Sequence, residues 1–398
     1  MKFGLIPRLI VALIIGILVG LVAPNWLLSV TEAGRSLFGS IIQFFIPLII
    51  FSFIAASIAD LSKSAGRLLS FTVILSYVDT IIACTIAAIT TYLIMPGIVS
   101  GRTFANPSGT ALPEPLVEIE FPPFMDIMSA LVFAIVIGLA ASWGKANVIG
   151  KVVFELRNIV DAVIRRFIIP VIPIFIFFIF VGISAEGEMA GAIVIFAQML
   201  VLIVIIQLVW LTIEYTTAGF IAGVSPLKSI RTMIPAYLTA LGTMSSAATI
   251  PVSLEQGKKL PKMDKKIASF VMPLCANIHS AGAALTLTIS AITVSLITFG
   301  ELPPVTSIVV FIIVLGIILT GAAGVPGGSV LATLGILESI LGFNEVALGL
   351  MLALFMMQDT LGTATNITGD GALATIVNKF FGEKDDSKEE VHTENEVY

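Results

Sequence analysis

The feature that most constrains this chain is a series of apolar runs long enough to cross a lipid bilayer. A spanning helix needs about 20 mostly apolar residues, and several of these runs are longer, as tilted or broken helices are. Only 12% of the 398 residues are charged, against about 25% in soluble domains, so we predict an all-α integral membrane protein. The eight predicted spans are residues 9–30, 40–60, 69–95, 125–143, 167–185, 191–223, 264–298 and 344–380.

Two further apolar stretches, 228–258 and 303–342, are broken near their middles by small residues and proline. The centres read LGTMSSAATIP (241–251) and TGAAGVPGGS (320–329). Non-helical backbone at membrane depth is tolerated only where protein or a watery cavity surrounds it. Either stretch alone is also compatible with a kinked helix, but a pair of interrupted segments points to a transporter binding site. We therefore predict two hairpins that enter the membrane from opposite sides.

The distribution of Lys and Arg predicts the orientation of the chain. Basic residues cluster before the first predicted span, after the second, through the 144–166 connection and around 228–266, whereas the loops near 96–124, 184–190 and 299–304 hold one arginine in total. This alternation predicts eight spans in a cell membrane, with both termini in the cytoplasm. The N-terminal run is interpreted as a retained span rather than a signal peptide, and the acidic segment 382–398 as a disordered tail.

The cysteines and histidines limit the other kinds of site. Cys84 and Cys275 both lie in apolar segments, and the chain has two histidines. This composition favours neither a disulfide framework nor a Cys/His zinc site. We expect no cofactor and no nucleic-acid partner.

The last predicted span carries a polar stripe. Asp359, Thr363, Asn366 and Asp370 are spaced at offsets 0, 4, 7 and 11, which places them within about 60° on one face over about 16 Å of helix. A charge at the bilayer centre costs at least a few kcal/mol. The stripe is therefore predicted to face a cavity, an ion or a partner, unless Asp370 lies near the membrane surface and is hydrated.

Three more ionisable residues lie inside apolar segments, namely Asp79, Glu214 and His279. For Glu214 we favour a structural contact between helices. His279 is surrounded by small and polar residues in ANIHSAG (276–282). This composition predicts a break within a long span, as in a discontinuous helix.

Several motifs together resemble the dicarboxylate/amino acid:cation symporter family, which includes the glutamate transporter homologues. The similar segments are SSAATIP (245–251), TGAAGVPGG (320–328), TNITGD (365–370) with Asp359 upstream, and FAIVIGLA (133–140). The resemblance implies eight spans and two re-entrant hairpins arranged as inverted repeats. It also implies a homotrimer in which one part of each 1–381 unit moves like an elevator. The scaffold would comprise spans 1, 2, 4 and 5, and the transport part spans 3, 6, 7 and 8 with both hairpins.

The resemblance also implies residue roles. Asp359 would pair with a substrate ammonium, Asn366 would hydrogen-bond the substrate carboxylate, and Thr363 and Gly362 would line the pocket. The hairpin tips would close over the substrate through Ser245, Ser246, Val325, Pro326 and Gly327. The candidate cation ligands are Asp370, Asn366, Asp79, Thr80, Asn277, His279 and Ser280.

One departure from the family concerns the substrate. Members that take acidic substrates carry an arginine three residues after the ammonium-binding aspartate, where this chain has Gly362, and 344–380 contains no arginine. Some relatives have that arginine in the first hairpin tip, where this chain has Met244. Desolvating a second substrate carboxylate without a cation costs several kcal/mol. We therefore predict poor transport of glutamate, aspartate and C4-dicarboxylates, and favour a small neutral amino acid such as alanine, serine or threonine.

A second departure concerns the coupling ion. The family's Asn-Met-Asp-Gly-Thr motif is replaced by His279-Ser280-Ala281-Gly282-Ala283, so one cation-binding carboxylate is lost. Asp79 falls where relatives have a hydroxyl residue. Either Asp79 rebuilds a sodium site, which the resemblance favours, or Asp79 and His279 form a proton-binding pair.

Two other classes of function are weaker alternatives. An intramembrane aspartyl protease needs two carboxylates within a few ångström. Asp359 and Asp370 are about 16 Å apart along one helix, so only Asp79 with Asp370 could form such a dyad. Polar rings in an oligomer could instead line a channel.

Overall fold

The computed structural model describes residues 5–63, 66–99, 112–117, 121–143, 147–187, 189–322 and 326–382. Across these ranges the chain is helical and contains no strand, which confirms the predicted all-α class. The helices are α1 Leu5–Gly20, α2 Asn25–Lys63, α3 Arg67–Val99, α4 Ile127–Trp143, α5 Asn147–Val163, a π-helical turn Ile164–Ile168, α6 Ile169–Ala185, α7 Met189–Ala222, α8 Pro226–Thr243, α9 Ser246–Gly257, α10 Lys265–Ile278, α11 Ala281–Phe299, α12 Val305–Gly321, α13 Gly328–Leu341 and α14 Glu345–Phe381.

Both predicted interruptions are confirmed as breaks between paired helices. Helix α8 ends at Thr243 and is followed by Met244, whose φ of 52° is left-handed, and Ser245 caps α9 by accepting the Ala248 N–H at 3.3 Å. Helix α13 begins after Gly327, which has a φ of 74°. The two helices of each pair pack against each other, so each pair forms a helical hairpin.

The predicted discontinuity near His279 is confirmed as well. Helix α10 ends at Ile278 and α11 begins at Ala281, with His279 in an extended conformation between them. The first N–H groups of a helix have no partner within that helix. The break therefore presents backbone donors in the middle of a buried region.

Two predicted boundaries are wrong. Helix α1 ends at Gly20 rather than near residue 30, and Pro24 precedes the start of α2 at Asn25. Proline lacks the N–H that a continuing helix needs. Helix α2 begins well before residue 40, at Asn25, and two charged side chains in its first half pair with each other, with 2.6 Å between Arg35 Nη2 and Glu32 Oε2.

The basic connection at 144–166 is also largely helical. It contains α5, which continues through the π-helical turn into α6. Its charges include a pair one helical turn apart, in which Arg165 Nε donates to Asp161 Oδ2 at 2.8 Å. A connection rich in charge is thus compatible with a helix when opposite charges pair one helical turn apart.

Six helical segments within the described part are long and apolar enough to cross a membrane. The chain is therefore a multi-pass membrane protein. Four shorter apolar helices accompany these segments, at Pro7–Gly20, Ser129–Ser142, Val305–Gly321 and Gly328–Leu341. The six long segments are Asn25–Ala56, Arg67–Val99, Val148–Ala185, Ile193–Ala222, Lys265–Phe299 and Glu345–Phe381.

Helix α14 lies at the centre of one group of packed helices. It contacts α7, α8, α10 and α11, and α11 in turn packs on α3, while α1 packs on α6 and α2 on α4. Close approach of α11 to α14 depends on glycine, because a Cβ on Gly282 would lie 2.5 Å from the carbonyl oxygen of Gly362. The polar stripe on α14 therefore faces other helices rather than lipid.

Candidate functional site

The polar stripe of α14 is buried along its whole length. Asp359, Thr363 and Asn366 are at most 7% exposed, and Asp370 is fully buried. The alternative that Asp370 is simply hydrated near the membrane surface is therefore wrong. All four side chains face the interior of the protein.

A small polar cavity lies beside the first three of these residues. Its volume of about 20 Å³ suits a water molecule rather than a whole amino acid. No Lys or Arg is among the described residues that line it. The lining residues are Met244, Ser246, Ala276, Asn277, Ser280, Ala322, Ser329, Asp359, Thr363 and Asn366.

The tip of the second hairpin closes on Asp359. The Gly327 N–H donates to Asp359 Oδ2 at 2.7 Å. Glycine is needed there for two reasons, since its φ is left-handed and a Cβ would collide with Met356 Sδ. A backbone donor thus occupies one oxygen of the only carboxylate that lines the cavity within the described residues.

Asn366 bonds the backbone at the break between α10 and α11. Its Oδ1 accepts the N–H of Gly282 at 2.7 Å and that of Ala283 at 3.2 Å. These two donors fix the orientation of the amide, so its Nδ2 group remains as the donor for a ligand. Gly362 lies against the same break, and a Cβ there would be 3.5 Å from Ala283 Cα.

A second group of polar residues, which we call the carboxylate–imidazole cluster, comprises Asp79, Glu214, His279 and Asp370. His279 Nδ1 is 2.9 Å from Asp370 Oδ1, and His279 Nε2 is 2.9 Å from Asp79 Oδ2. Glu214 Oε1 is 3.7 Å from the same Nε2. The imidazole thus lies between Asp79 and Asp370, which bond opposite ring nitrogens and so cannot form the shared-proton dyad of an aspartyl protease.

Glu214 is the member of the cluster that sequence reasoning undervalued. It does contact another helix, but its neighbour is a candidate site residue, and neither of its buried oxygens has a hydrogen-bond partner within the described residues. Gly369 permits this approach, because a Cβ there would lie 2.7 Å from Glu214 Oε2 and 2.9 Å from His279 Cε1. The available signal was an ionisable residue at membrane depth.

The remaining candidate ligands have other partners in this conformation. The Thr80 hydroxyl donates to the Ser76 carbonyl at 2.9 Å within α3. Asn277 Nδ2 donates to the Pro273 carbonyl at 2.8 Å, although Asn277 and Ser280 both line the cavity. The structure therefore brings Asn277 and Ser280 to the cavity, whereas the Thr80 hydroxyl bonds the backbone of its own helix.

Among the candidate residues of the hairpin tips, too, some line the cavity and others have another role. Ser246 lines the cavity, whereas the Ser245 hydroxyl serves as the cap of α9. Pro326 is half-buried beside Gly327, and Val325 lies outside the described residues. Gln207 was not predicted, yet its Nε2 donates to the Gly282 carbonyl at 3.3 Å and so supports the break in the seventh span.

Comparison with known proteins gives consistent matches along the chain. The model of the sodium:dicarboxylate symporter family matches residues 5–380. Serine/threonine transporters SstT from Acinetobacter baumannii strains AYE and AB307-0294 are each 27% identical over 396 residues, covering 95% of this chain and 97% of the relative. The same figures hold for the protein of that name from strain AB0057.

Proposed function

Because the chain belongs to the sodium:dicarboxylate symporter family, we propose that it couples the uptake of a small neutral amino acid to the sodium gradient. Serine and threonine are the first candidates, since similar proteins are named as their transporters. Membership in a family of transporters sets aside the protease alternative. The chain acts as a secondary active symporter and not as an enzyme.

The observation that carries this proposal is the charge balance of the cavity. One carboxylate, that of Asp359, faces neutral donors from Asn366 and Ser246, and no described lining residue is basic. A zwitterion with an uncharged side chain matches that set. A second substrate carboxylate would be desolvated without a counter-charge, at a cost of several kcal/mol, so dicarboxylates are poor substrates despite the name of the family.

The proposed roles follow from the contacts. Asp359 binds the substrate ammonium, and the Asn366 Nδ2 group with Ser246 binds the substrate carboxylate. Since Asp359 Oδ2 already accepts the Gly327 N–H and the cavity is small, substrate entry requires the second hairpin tip to move. Release of that backbone bond by the incoming ammonium would link binding to hairpin movement.

Sodium is proposed to bind near the Asp370 end of the polar stripe on α14. Asp370 Oδ2 is buried and has no hydrogen-bond partner within the described residues, and carboxylate oxygens suit a hard cation. The remaining candidate sodium ligands are Asn366, Asp79, Thr80, Asn277, His279 and Ser280. Proton coupling through Asp79 and His279 is the alternative, favoured by their 2.9 Å contact.

We also infer the family architecture, with eight spans, two re-entrant hairpins as inverted repeats, both termini in the cytoplasm, and a homotrimer. The packing of α1 on α6 and of α2 on α4 fits a scaffold, and the packing of α14 on α7, α8, α10 and α11 fits a transport part. Elevator-like movement would occur between these two parts. The acidic tail from 383 onwards lies outside the described residues.

Uptake by the purified protein in liposomes tests the function. Labelled serine, threonine, alanine, glutamate, aspartate and succinate are supplied with an inward sodium gradient or an inward proton gradient. We expect sodium-driven uptake of serine or threonine and little uptake of the acidic compounds. Proton-driven uptake that ignores sodium would assign coupling to Asp79 and His279, and strong glutamate or succinate uptake would refute the argument from charge balance.

A further inference from the structure

We propose that Asp79, Glu214 and His279, here called the metal triad, form a binding site for a divalent transition-metal cation of the zinc class. One oxygen from each carboxylate and one ring nitrogen of His279 all lie within 4.8 Å of one another. The three residues come from α3, α7 and the break between α10 and α11. The proposal is independent of the identity of the transported substrate.

The distances within the metal triad suit a tetrahedral ion. His279 Nε2 lies 2.9 Å from Asp79 Oδ2 and 3.7 Å from Glu214 Oε1. With metal–ligand bonds of about 2.0–2.1 Å, two ligand atoms of a tetrahedral zinc ion are about 3.3–3.4 Å apart. The two observed separations bracket that value, and all three ligand atoms lie within 4.8 Å of one another, so rotation of the two carboxylate side chains toward His279 Nε2 would place all three ligands around one ion.

The other face of the imidazole is arranged as in known metal sites. His279 Nδ1 lies 2.9 Å from Asp370 Oδ1. A metal-bound histidine nearly always donates its second ring N–H to a carboxylate or carbonyl oxygen, which fixes the tautomer and raises the basicity of the ligating nitrogen. Donation from Nδ1 to Asp370 leaves the Nε2 lone pair directed at Asp79 and Glu214.

Glu214 supplies an independent indication that a cation belongs there. It is 4% exposed, and neither carboxylate oxygen has a hydrogen-bond partner in the described part of the chain. A buried carboxylate is costly unless it is paired or coordinates a metal. Its contact with His279 at 3.7 Å is too long for a hydrogen bond, so a metal ion between them would satisfy both groups.

The ligand types select the class of ion. One imidazole nitrogen with two carboxylate oxygens suits zinc, cobalt, nickel and related ions, whereas magnesium and calcium prefer oxygen ligands. The Asp79 side chain retains 13% exposure, which gives the ion an approach from the α3 side. A bound ion would occupy Asp79 and His279, which are candidate ligands of the coupling cation, and we therefore expect it to inhibit transport.

The test is zinc binding to the purified full-length protein in detergent, without sodium or amino acid, measured by competition with a chromophoric zinc indicator. We expect one zinc ion per chain and weakening of at least about tenfold in Glu214→Gln and in Asp79→Asn. Asp370→Asn, which removes the carboxylate behind the imidazole, is expected to weaken zinc binding about 10–100-fold.

Two matched variants control for binding elsewhere. Glu255→Gln removes an exposed carboxylate that pairs with Lys259 at 2.6 Å, and His392→Ala removes the other histidine, in the acidic tail. Both are expected to bind zinc like the unmodified protein. Zinc binding that is lost in His392→Ala but kept in Glu214→Gln would overturn the proposal, as would the absence of zinc binding at millimolar concentration.

A second measurement does not depend on the folding of variants. Cobalt(II) added to the unmodified protein is expected to give visible bands of a tetrahedral site with nitrogen and oxygen ligands, which zinc abolishes. An octahedral cobalt spectrum identical to that in buffer would overturn the proposal. Inhibition of uptake by zinc is measured separately, so a protein that binds zinc but does not transport serine contradicts only the proposed function.

Discussion

Replacement of Asp359 by Asn gives the sharpest test of how the amino acid is held. The side chain is 7% exposed and accepts the Gly327 N–H at 2.7 Å, a bond that the Asn Oδ1 can also accept, so the hairpin tip keeps its contact. The negative charge is lost, and the second carboxylate oxygen is replaced by an NH₂ donor. Truncating one partner of a buried, hydrogen-bonded charge pair costs about 2–5 kcal/mol, which corresponds to a KM for serine raised about 30-fold to about 4,000-fold.

The assay compares uptake of serine with uptake of glycerate, which has a hydroxyl group in place of the ammonium. If Asp359 binds the ammonium, the preference for serine over glycerate falls sharply in Asp359→Asn, because the variant no longer offers a negative charge. Asp161→Asn, which changes a carboxylate on α5 away from the cavity, is the matched control and should keep the original preference. An unchanged ratio of serine to glycerate uptake in Asp359→Asn would refute the assignment.

Two further changes test the packing around the site. Gly369→Ala places a Cβ 2.7 Å from Glu214 Oε2, so we expect a destabilisation of about 1–3 kcal/mol and a lower Tm. The control is Gly191→Ala, which has open space around its Cβ and should leave the Tm unchanged or raise it. Arg35→Ala removes the partner of Glu32, which is 5% exposed, and should lower the free energy of unfolding by about 3 kcal/mol, as measured in a thermal melt. Adding Glu32→Gln should recover part of this stability. No recovery would contradict the pairing.

Much of the fold was predictable because a helix that crosses a membrane needs a long run of apolar residues, which is easy to recognise in the sequence. Apolar length predicts spans, and small residues with proline predicted the breaks that the structure places at Met244 and between Gly321 and Gly328. The boundary errors at α1 and α2 and the helix found within the 144–166 connection have a shared cause. Length and charge alone do not reveal whether Glu32 and Arg35 pair within a helix, or whether Asp161 and Arg165 do.

Only the features of the site that depend on the sequence of a single helix were predictable. The spacing from Asp359 to Asp370 was sufficient to place four buried groups on one face of α14, and ANIHSAG to predict a break at His279. The partners of those groups depend on which helices approach α14, and that approach depends on glycines such as Gly282 and Gly369. A glycine in a membrane helix has many possible causes, so the sequence did not distinguish these two.

The carboxylate–imidazole cluster was predictable in part for the same reason. Sequence comparison with the family indicated a carboxylate lost at Ala281 and one gained at Asp79, and the 2.9 Å contact between His279 and Asp79 shows that the new carboxylate does reach the altered motif. Asp79 and Asp370 together already bond both ring nitrogens of His279. Glu214 adds a third carboxylate, so with every acid ionised and the imidazole protonated the cluster still carries excess negative charge. Such a charge is not stable in a buried site without a bound cation or proton, and the metal and proton-gradient experiments determine which of these the protein uses.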